Sequence, residues 1–343
     1  MRSPAVERAF RAVPRMALLE KVWSGELGNW TEAELTAELA YAEKALITRL
    51  GPHGLPTSSS SQPALVAFML EQLQLRPGMR VLEIGAGTGY NAALISEIVG
   101  DQGLVTSIDY QPDVVEQTRR LLAAAGYGGL DIRAGDGYEG AVDRAPFDRI
   151  VATVGVTDVA PAWLAQLEPD GHLLLPLRHD GANPLIDFVR DGPGARGRYA
   201  GFSGFMPIQG VLHDPTYATP EWTDHERREL PPLPGLDDPD DRLGFWFHLG
   251  IRDPRTAYFD WTPTATHPFG LAAGEAGRVL VGPGSLILAG EEALLADVQR
   301  HHAEWEASGR PRIADYEVLV GLHEQPGDLA VEGRLQRRLF RRL

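Results

Sequence analysis

The sequence of 343 residues contains no cysteine. Disulfides, thiolate metal sites and cysteine nucleophiles are therefore excluded. There is also no run of about 18 apolar residues, so no transmembrane helix is predicted. The first residues lack the apolar core of a signal peptide. The expected location is the cytoplasm.

Positive charge is scarce as well. Lysine and arginine together number 32 against 47 aspartate and glutamate residues, which gives a formal net charge of −15. Because an acidic surface repels phosphate backbones, nucleic acid is not an expected partner, and without an apolar span neither is a membrane. The histidines show no metal-ligand spacing such as HExxH, so no metal is predicted.

Patterns of strand and helix alternate from Gln62 to about residue 210. RVLEI, LVTSID, LDIRAGDG and FDRIVATVG predict strands, and PALVAFMLEQLQL, NAALISEIVG, PDVVEQTRRLLAAAG and PAWLAQLEPDG predict helices. This alternation is typical of βαβ units and a parallel sheet, to which GHLLLPL and PLIDFVR add an antiparallel edge. Residues 1–50 are predicted to be helical, above all 31–50, where Thr31 and Glu34 fit a capping box.

The amino-acid composition of the sequence changes after residue 210. Residues 211–242 are rich in Pro and Asp and predict a connection with little regular structure. Beyond them, GFWFHLGI, RVLVG, SLILAG and DYEVLVGL predict strands, and EEALLADVQRHHAEWEASG predicts a helix. We therefore expect one domain at 1–210 and an α+β extension at 211–343. The arginine-rich end, EGRLQRRLFRRL, predicts a solvated helix or frayed tail, with binding of an acidic peptide as the functional alternative.

The clearest chemical signal is the stretch VLEIGAGTGY. Glu83 lies in the predicted strand, and Gly85, Gly87 and Gly89 follow before a predicted helix. Glycines at this place let backbone N–H groups approach a ligand at the carboxyl edge of a sheet. The pattern is GxGxG rather than the GxGxxG of dinucleotide sites, and by itself it could be a tight turn.

Two acidic residues make the signal more specific. Asp109 ends the next predicted strand, where a carboxylate can accept hydrogen bonds from ribose hydroxyls, although it could also cap the following helix. Asp136, followed by Gly137, ends the third strand and could accept from an adenine amino group or simply form a turn. An adenosine-containing ligand without a pyrophosphate indicates S-adenosyl-L-methionine (AdoMet). The predicted cofactor-binding residues are Glu83, Gly85, Gly87, Gly89, Asp109, Asp136 and Gly137.

Over roughly residues 5–210 the sequence resembles the protein-L-isoaspartate O-methyltransferases. VLEIGAGTGYNAALISEIVG is similar to their first motif, RAFRAVPR to their N-terminal helix, and SSQPALVAFMLEQL to their SQP helix. GDGYEGAVDRAPFDRIVAT and PAWLAQLEPDGHLLLPL continue the match. The resemblance implies an α/β fold of the class I AdoMet-dependent methyltransferases, with a Rossmann-like doubly wound sheet. It also implies that Ser61 is catalytic and that Ser60 and Gln62 bind substrate.

The implied reaction is methylation of an Asp or L-isoaspartyl carboxylate in a peptide or protein, whose ester then leads to a succinimide. Two departures from the family bear on the substrate. Residues 53–60 differ from the family's usual segment before SQP, and repair enzymes are expected to lack the extension. Extended relatives accompany ribosomally made peptides, so we expect maturation of such a peptide. General L-isoaspartyl repair is the alternative, and an AdoMet-binding, peptide-binding module with little turnover is a further one.

Overall fold

The computed structural model describes residues 2–26, 29–51, 54–178, 183–213, 226–258, 269–332 and 335–343. Its helices are α1 (Pro4–Ala12), α2 (Ala37–Ala40), α3 (Pro63–Gln72), α4 (Tyr90–Val99), α5 (Pro112–Ala124), α6 (Pro161–Gln166), α7 (Pro239–Gly250) and α8 (Glu292–Ala307). Its first strands are β1 (Val22–Glu26), β2 (Asn29–Ala33), β3 (Leu46–Leu50), β4 (Pro56–Ser60), β5 (Arg80–Ile84), β6 (Leu104–Asp109), β7 (Asp131–Ala134), β8 (Phe147–Ala152) and β9 (Leu167–Pro176). The later strands are β10 (Pro184–Asp191), β11 (Gly194–Phe202), β12 (Arg227–Leu230), β13 (Thr256–Tyr258), β14 (Phe269–Ala272), β15 (Gly277–Gly282), β16 (Ser285–Gly290), β17 (Tyr316–Val320), β18 (Leu329–Glu332) and β19 (Arg337–Arg342).

The central sheet has the strand order β18-β19-β17-β11-β10-β9-β8-β5-β6-β7. Strands β7, β6, β5, β8 and β9 run parallel, and the strands from β10 onward pair antiparallel. The parallel half confirms the predicted Rossmann-like α/β class. Of the two segments predicted as an antiparallel edge, PLIDFVR lies in β10 and pairs antiparallel, whereas GHLLLPL lies in β9, which runs parallel to β8. Neither is at the edge, because β11, β17, β19 and β18 extend the sheet beyond β10. Two smaller sheets have the orders β2-β1-β3-β4 and β12-β16-β15-β14-β13.

Two hydrophobic cores cover the two faces of the central sheet. In β5, Val81 packs into the core that contains residues of α1, α3 and α4, whereas Leu82 packs into the core that contains residues of α6 and α7. Both side chains are fully buried. Successive residues of a strand point to opposite faces, so a strand covered by helices on both faces is buried along its length, as β5 is from Val81 to Ile84.

The prediction that residues 1–50 are helical holds at α1 but is wrong for β1 and β2 and for most of residues 31–50. This stretch contains the end of β2, the one-turn helix α2, and β3, which pairs with β1 and β4. Thr31 and Glu34 form no capping box; instead Thr36 caps α2 by accepting a hydrogen bond from Leu39 N at 3.2 Å. The alanine and leucine spacing favours a helix locally, but strand pairing by the β-branched Ile47 overrides that propensity.

Two boundaries further along the chain also differ from the predictions. The helix predicted in PAWLAQLEPDG ends at Gln166, and the rest of that segment begins β9. GFWFHLGI, predicted as a strand, belongs to α7, which begins inside the segment predicted to lack regular structure. Asp238 caps α7, and its oxygen accepts from Asp240 N at 2.8 Å. Since Phe245 packs into one core and Phe247 into another, α7 is apolar on opposite sides and shows little helical periodicity.

The arginine-rich end is neither a helix nor a frayed tail. It forms β19, between β17 and β18 in the central sheet, with Phe340 buried. Arg341 forms a bidentate ion pair with Asp328, with both N–O distances at 2.9 Å, and Arg337 contacts Glu332 at 3.1 Å. Thus β17, β18 and β19 of the extension continue the sheet of residues 1–210, whereas β12 to β16 form a sheet of their own; the division into two domains stays a prediction. Arg334 lies outside the described residues.

Within the described part of the chain, no helix has both the length and the apolar character needed to cross a membrane.

Candidate active site

A crevice opens at the carboxyl ends of β5 and β6. It contains about 980 Å³ of space, including its open mouth. Its walls include the glycine turn after β5, the end of β6 with Asp109, the serine-rich strand β4 with Ser61, and residues 205–209. Ligands of open α/β sheets bind at this edge, so the position agrees with the predicted ligand site.

The glycine turn is shaped by close packing. Gly85 has φ of +102°, and a Cβ built there would lie 2.8 Å from Oγ1 of Thr153. Gly89 has φ of +77°, and its Cβ would lie 2.8 Å from a methyl carbon of Leu122. L-residues with side chains rarely adopt such φ values, and neither position has room for another carbon. The glycines therefore let the chain turn sharply from β5 into α4.

Asp109 holds this turn from the end of β6. One of its carboxylate oxygens accepts from Gly87 N at 2.9 Å, and the other accepts from Gln111 N at 3.1 Å. Burial raises the pKa of Asp109, and the two backbone N–H groups oppose that rise. A carboxylate has about four acceptor positions. The two that remain can accept ribose hydroxyls while Asp109 keeps its structural bonds.

Glu83 is fully buried beneath the crevice. Its carboxyl group accepts from Nδ2 of Asn91 at 2.7 Å and from Oγ of Ser107 at 2.5 Å. Burial raises the pKa of Glu83 to about 7, although both hydrogen bonds lower it. Glu83 thus ties β5 to α4 and β6 immediately below the glycine turn.

Arg15 anchors the serine segment. The guanidinium is completely buried, and it donates to the carbonyl oxygens of Ser61 and Ala40 at 2.8 Å and to the Ser60 carbonyl at 3.3 Å. Its Nε also donates to Oγ of Ser60 at 3.3 Å. The ring of Tyr90, in the crevice wall, lies 5.8 Å from the guanidinium carbon. The buried guanidinium of Arg15 therefore fixes the backbone of Ser60 and Ser61.

Most of the predicted site residues meet at the crevice. Gly89 and Gln62 do not line it: Gly89 precedes α4 as its N-terminal cap residue, and Gln62 occupies the same place before α3. The predicted residues that line the crevice are Ser60, Ser61, Glu83, Gly85, Gly87, Asp109 and Gly137.

Asp136 also lies outside the crevice lining. Its two carboxylate oxygens accept from Tyr138 N at 3.0 Å and from Val211 N at 2.8 Å. These contacts correspond to the turn predicted as the alternative to adenine binding. Binding of adenine by Asp136 stays a prediction.

Sequence reasoning missed residues 205–209 and the role of Arg15. Residues 205–209 reach the crevice through a bridge in which Gly155 N donates to Met206 O at 2.8 Å and Ile208 N donates to Gly155 O at 2.9 Å. No local pattern marks such a contact, because its partners lie about fifty residues apart. Arg15 stands in the VPR stretch, but its partners are mainly backbone carbonyls, which leave no trace in the sequence.

Comparison with known proteins places these features in one family. A sequence model named Protein-L-isoaspartate(D-aspartate) O-methyltransferase (PCMT) matches residues 1–210. The chain belongs to this family. Membership confirms the predicted class of enzyme, a methyltransferase that takes its methyl group from AdoMet. The residues present fit that cofactor, since a crevice at the edge of the sheet offers a carboxylate and a compact glycine turn.

Individual relatives carry the same name. The Protein-L-isoaspartate O-methyltransferase of Thermotoga maritima is 34% identical over 212 residues, which cover 61% of this chain and 62% of that protein. Protein-L-isoaspartate O-methyltransferase 2 of Archaeoglobus fulgidus is 34% identical over 209 residues, which cover 61% of this chain and 86% of that protein.

A solved structure named protein-L-isoaspartate O-methyltransferase aligns with 93% of this chain and 92% of its own, at 26% identity and a TM-score of 0.57. The alignment extends well into residues 211–343. The expectation that enzymes of this name lack the extension is therefore wrong.

Proposed function

We propose that this protein is a general L-isoaspartyl methyltransferase, which transfers a methyl group from AdoMet to the side-chain carboxylate of L-isoaspartyl residues in proteins. The observation that carries the proposal is the shared crevice. Gly85, Gly87 and Asp109 line it together with Ser60 and Ser61, so the predicted cofactor residues and the predicted substrate residues face the same space.

The family names favour repair over maturation of a dedicated peptide. The extension was one of two arguments for maturation, and it is shared with a structure that bears the repair enzyme's name. The other argument, the altered segment before SQP, includes residue 53, which lies outside the described residues. Peptide maturation therefore becomes an outcome that the experiment below distinguishes.

The chain's own residues have two tasks toward the cofactor. Asp109 accepts the ribose hydroxyls, and the glycine turn gives the nucleoside room beside the backbone. AdoMet supplies, when bound, an electrophilic methyl group on a sulfonium sulfur. A peptide carboxylate has a pKa near 4 and is already ionised at pH 7, so no general base is needed.

Ser61 orients the substrate carboxylate. None of the described residues forms a hydrogen bond with the Ser61 hydroxyl, whereas the Ser61 carbonyl is held by Arg15. The hydroxyl can therefore donate to one carboxylate oxygen and leave the other to react. Catalysis then depends chiefly on alignment, which is worth several kcal/mol when reacting groups are held in place.

The direct test uses two peptides that differ only in an L-Asp or L-isoaspartyl linkage at one position. With AdoMet labelled in its methyl group, we expect label in the isoaspartyl peptide and later a succinimide at that position. Labelling of the Asp peptide alone would contradict repair and favour maturation. AdoMet binding without labelling of either peptide would favour the binding module.

A serine variant tests the site within the same assay. Ser61→Ala should lower kcat/KM for the isoaspartyl peptide roughly 10- to 150-fold, the loss expected for one hydrogen bond to a charged group. Its affinity for AdoMet should stay unchanged. Ser24→Ala, at an exposed position of β1, is the matched control. Equal turnover of both variants would remove Ser61 from the proposed mechanism.

A further inference from the structure

A cluster of two histidines and one glutamate lies between α7 and α8, in the extension. His248 comes from the last turns of α7, and His301 and Glu304 stand three positions apart on α8. One ligand-type atom from each residue lies within 4.8 Å of the others. None of these residues contributes to the crevice described above.

The burial of His248 makes this cluster unusual. Its side chain is 1% exposed, and neither ring nitrogen has a hydrogen-bond partner among the described residues. A buried polar atom without a partner costs about 1–3 kcal/mol, and native proteins rarely leave one.

His301 and Glu304 are already arranged as metal ligands. Nδ1 of His301 has no hydrogen bond and lies 3.4 Å from Oε2 of Glu304. Two ligand atoms of a tetrahedral zinc site, each about 2.1 Å from the ion, are separated by roughly 3.4 Å. A movement of the His248 ring toward Nδ1 of His301 and Oε2 of Glu304 would bring three ligand atoms around one ion.

The surroundings of His301 resemble the outer shell of a metal site. On its other side, Nε2 of His301 lies 3.5 Å from Oδ2 of Asp253, which Arg255 holds through two hydrogen bonds of 2.9 and 2.6 Å. Nε2 also lies 3.2 Å from a guanidinium nitrogen of Arg300, which can only donate. Metal-binding histidines typically donate their second N–H group to a carboxylate, so binding through Nδ1 requires Arg300 to release Nε2 and Nε2 to donate to Asp253. Arg300 contacts Oε1 of Glu304 at 3.1 Å, which leaves Oε2 for an ion.

We propose that His248, His301 and Glu304 form a zinc site that joins α7 to α8, with water as the fourth ligand. Two imidazoles and a carboxylate are a common ligand set for Zn²⁺. The Glu304 side chain is 47% exposed, which gives the ion a path from solvent. The sequence predicted no metal because the ligands come from two helices, 53 positions apart, and fit no short motif.

The test is zinc binding by the full chain, freed of any affinity tag and stripped with a chelator. After loading with Zn²⁺ and desalting, mass spectrometry of the metal should give one zinc per chain. Competition with a chromophoric chelator then gives the dissociation constant. Glu304→Gln should weaken binding by at least about tenfold, the smallest loss reported for disturbing even the outer shell of a site.

Matched variants separate a site from general adsorption. Glu306→Gln changes a nearby glutamate of α8, which pairs with Arg310 at 2.6 Å, and should bind zinc like the wild type. His301→Ala should abolish binding, and circular dichroism establishes whether it still folds. Because Glu304 is half exposed, Glu304→Gln remains informative if His301→Ala unfolds. Absence of zinc from the loaded wild type, or equal retention by Glu304→Gln, would overturn the proposal.

Discussion

Replacement of Arg15 tests how the serine segment is held in place. Arg15→Met keeps much of the apolar stem but removes every guanidinium donor. The carbonyl oxygens of Ala40, Ser60 and Ser61, which accept from it at 2.8 to 3.3 Å, then lose this partner. Hydrogen bonds to a charged group contribute about 1.5–3 kcal/mol each but are not additive within one network. We expect the free energy of unfolding to fall by about 3–5 kcal/mol.

The same change should affect turnover more than cofactor binding. A displacement of about 1 Å in a positioning group can cost roughly 100-fold in rate. At a temperature where Arg15→Met is fully folded, we expect kcat with an isoaspartyl peptide to fall by about that factor. AdoMet affinity should change little, because Asp109 and the glycine turn make no hydrogen bond with Arg15.

The control for this experiment is Arg11→Met. Arg11 also belongs to the N-terminal segment, but its side chain is 76% exposed and pairs with Glu7 at 2.8 Å. Exposed pairs of this kind contribute well under about 1 kcal/mol. Arg11→Met should therefore match the wild type in stability and kcat. If Arg15→Met is destabilised but turns over at the wild-type rate, the positioning role of Arg15 is refuted.

Three further predictions concern the floor and turn of the crevice. Asp109→Ala should weaken AdoMet binding by about 1–3 kcal/mol in calorimetry, and unchanged affinity would remove Asp109 from the site. Gly89→Ala should lower the free energy of unfolding by about 1–3 kcal/mol more than the control Gly100→Ala. Both positions have positive φ, but only Gly89 is crowded. Equal losses in the two variants would show that the backbone angle alone matters. Burial raises the pKa of Glu83 from 4.5 to about 7, so the folded state binds a proton that the unfolded state releases. The resulting stabilisation of the folded state is fully present below pH 4.5 and is lost as the pH rises through 7. Glu83→Gln should therefore remove about 3 kcal/mol of the pH dependence of the free energy of unfolding, measured in denaturant titrations.

Strands β5 and β6 of the parallel half were predictable because each is short, largely apolar and followed by a helix with a clear start. Pro112, for example, stands in the first turn of α5 and begins the predicted helix PDVVEQTRRLLAAAG. Residues 31–50 were not predictable in this way. Their alanines and leucines fit a helix, and the partner that makes Leu46–Leu50 a strand lies ten residues later in β4.

The same difference between local and distant contacts separates the site residues that were predicted from those that were missed. Asp109 and the glycine turn are close in sequence to the strands that position them, so a local pattern identified them. The contacts of Arg15 and the meeting of His248 with His301 join distant segments, and no spacing indicates them. The helix α7 was missed for a different reason: burial on opposite sides removes the periodicity that distinguishes a helix from a strand.

The central claim is that the crevice after β5 holds the nucleoside of AdoMet with its sulfur toward the serine segment. A crystal structure of the complex with S-adenosylhomocysteine tests this most directly. We predict ribose hydroxyls within hydrogen-bond distance of Asp109 and the sulfur on the side of Ser61. A nucleoside bound elsewhere, or with its sulfur turned away from Ser61, would contradict the account.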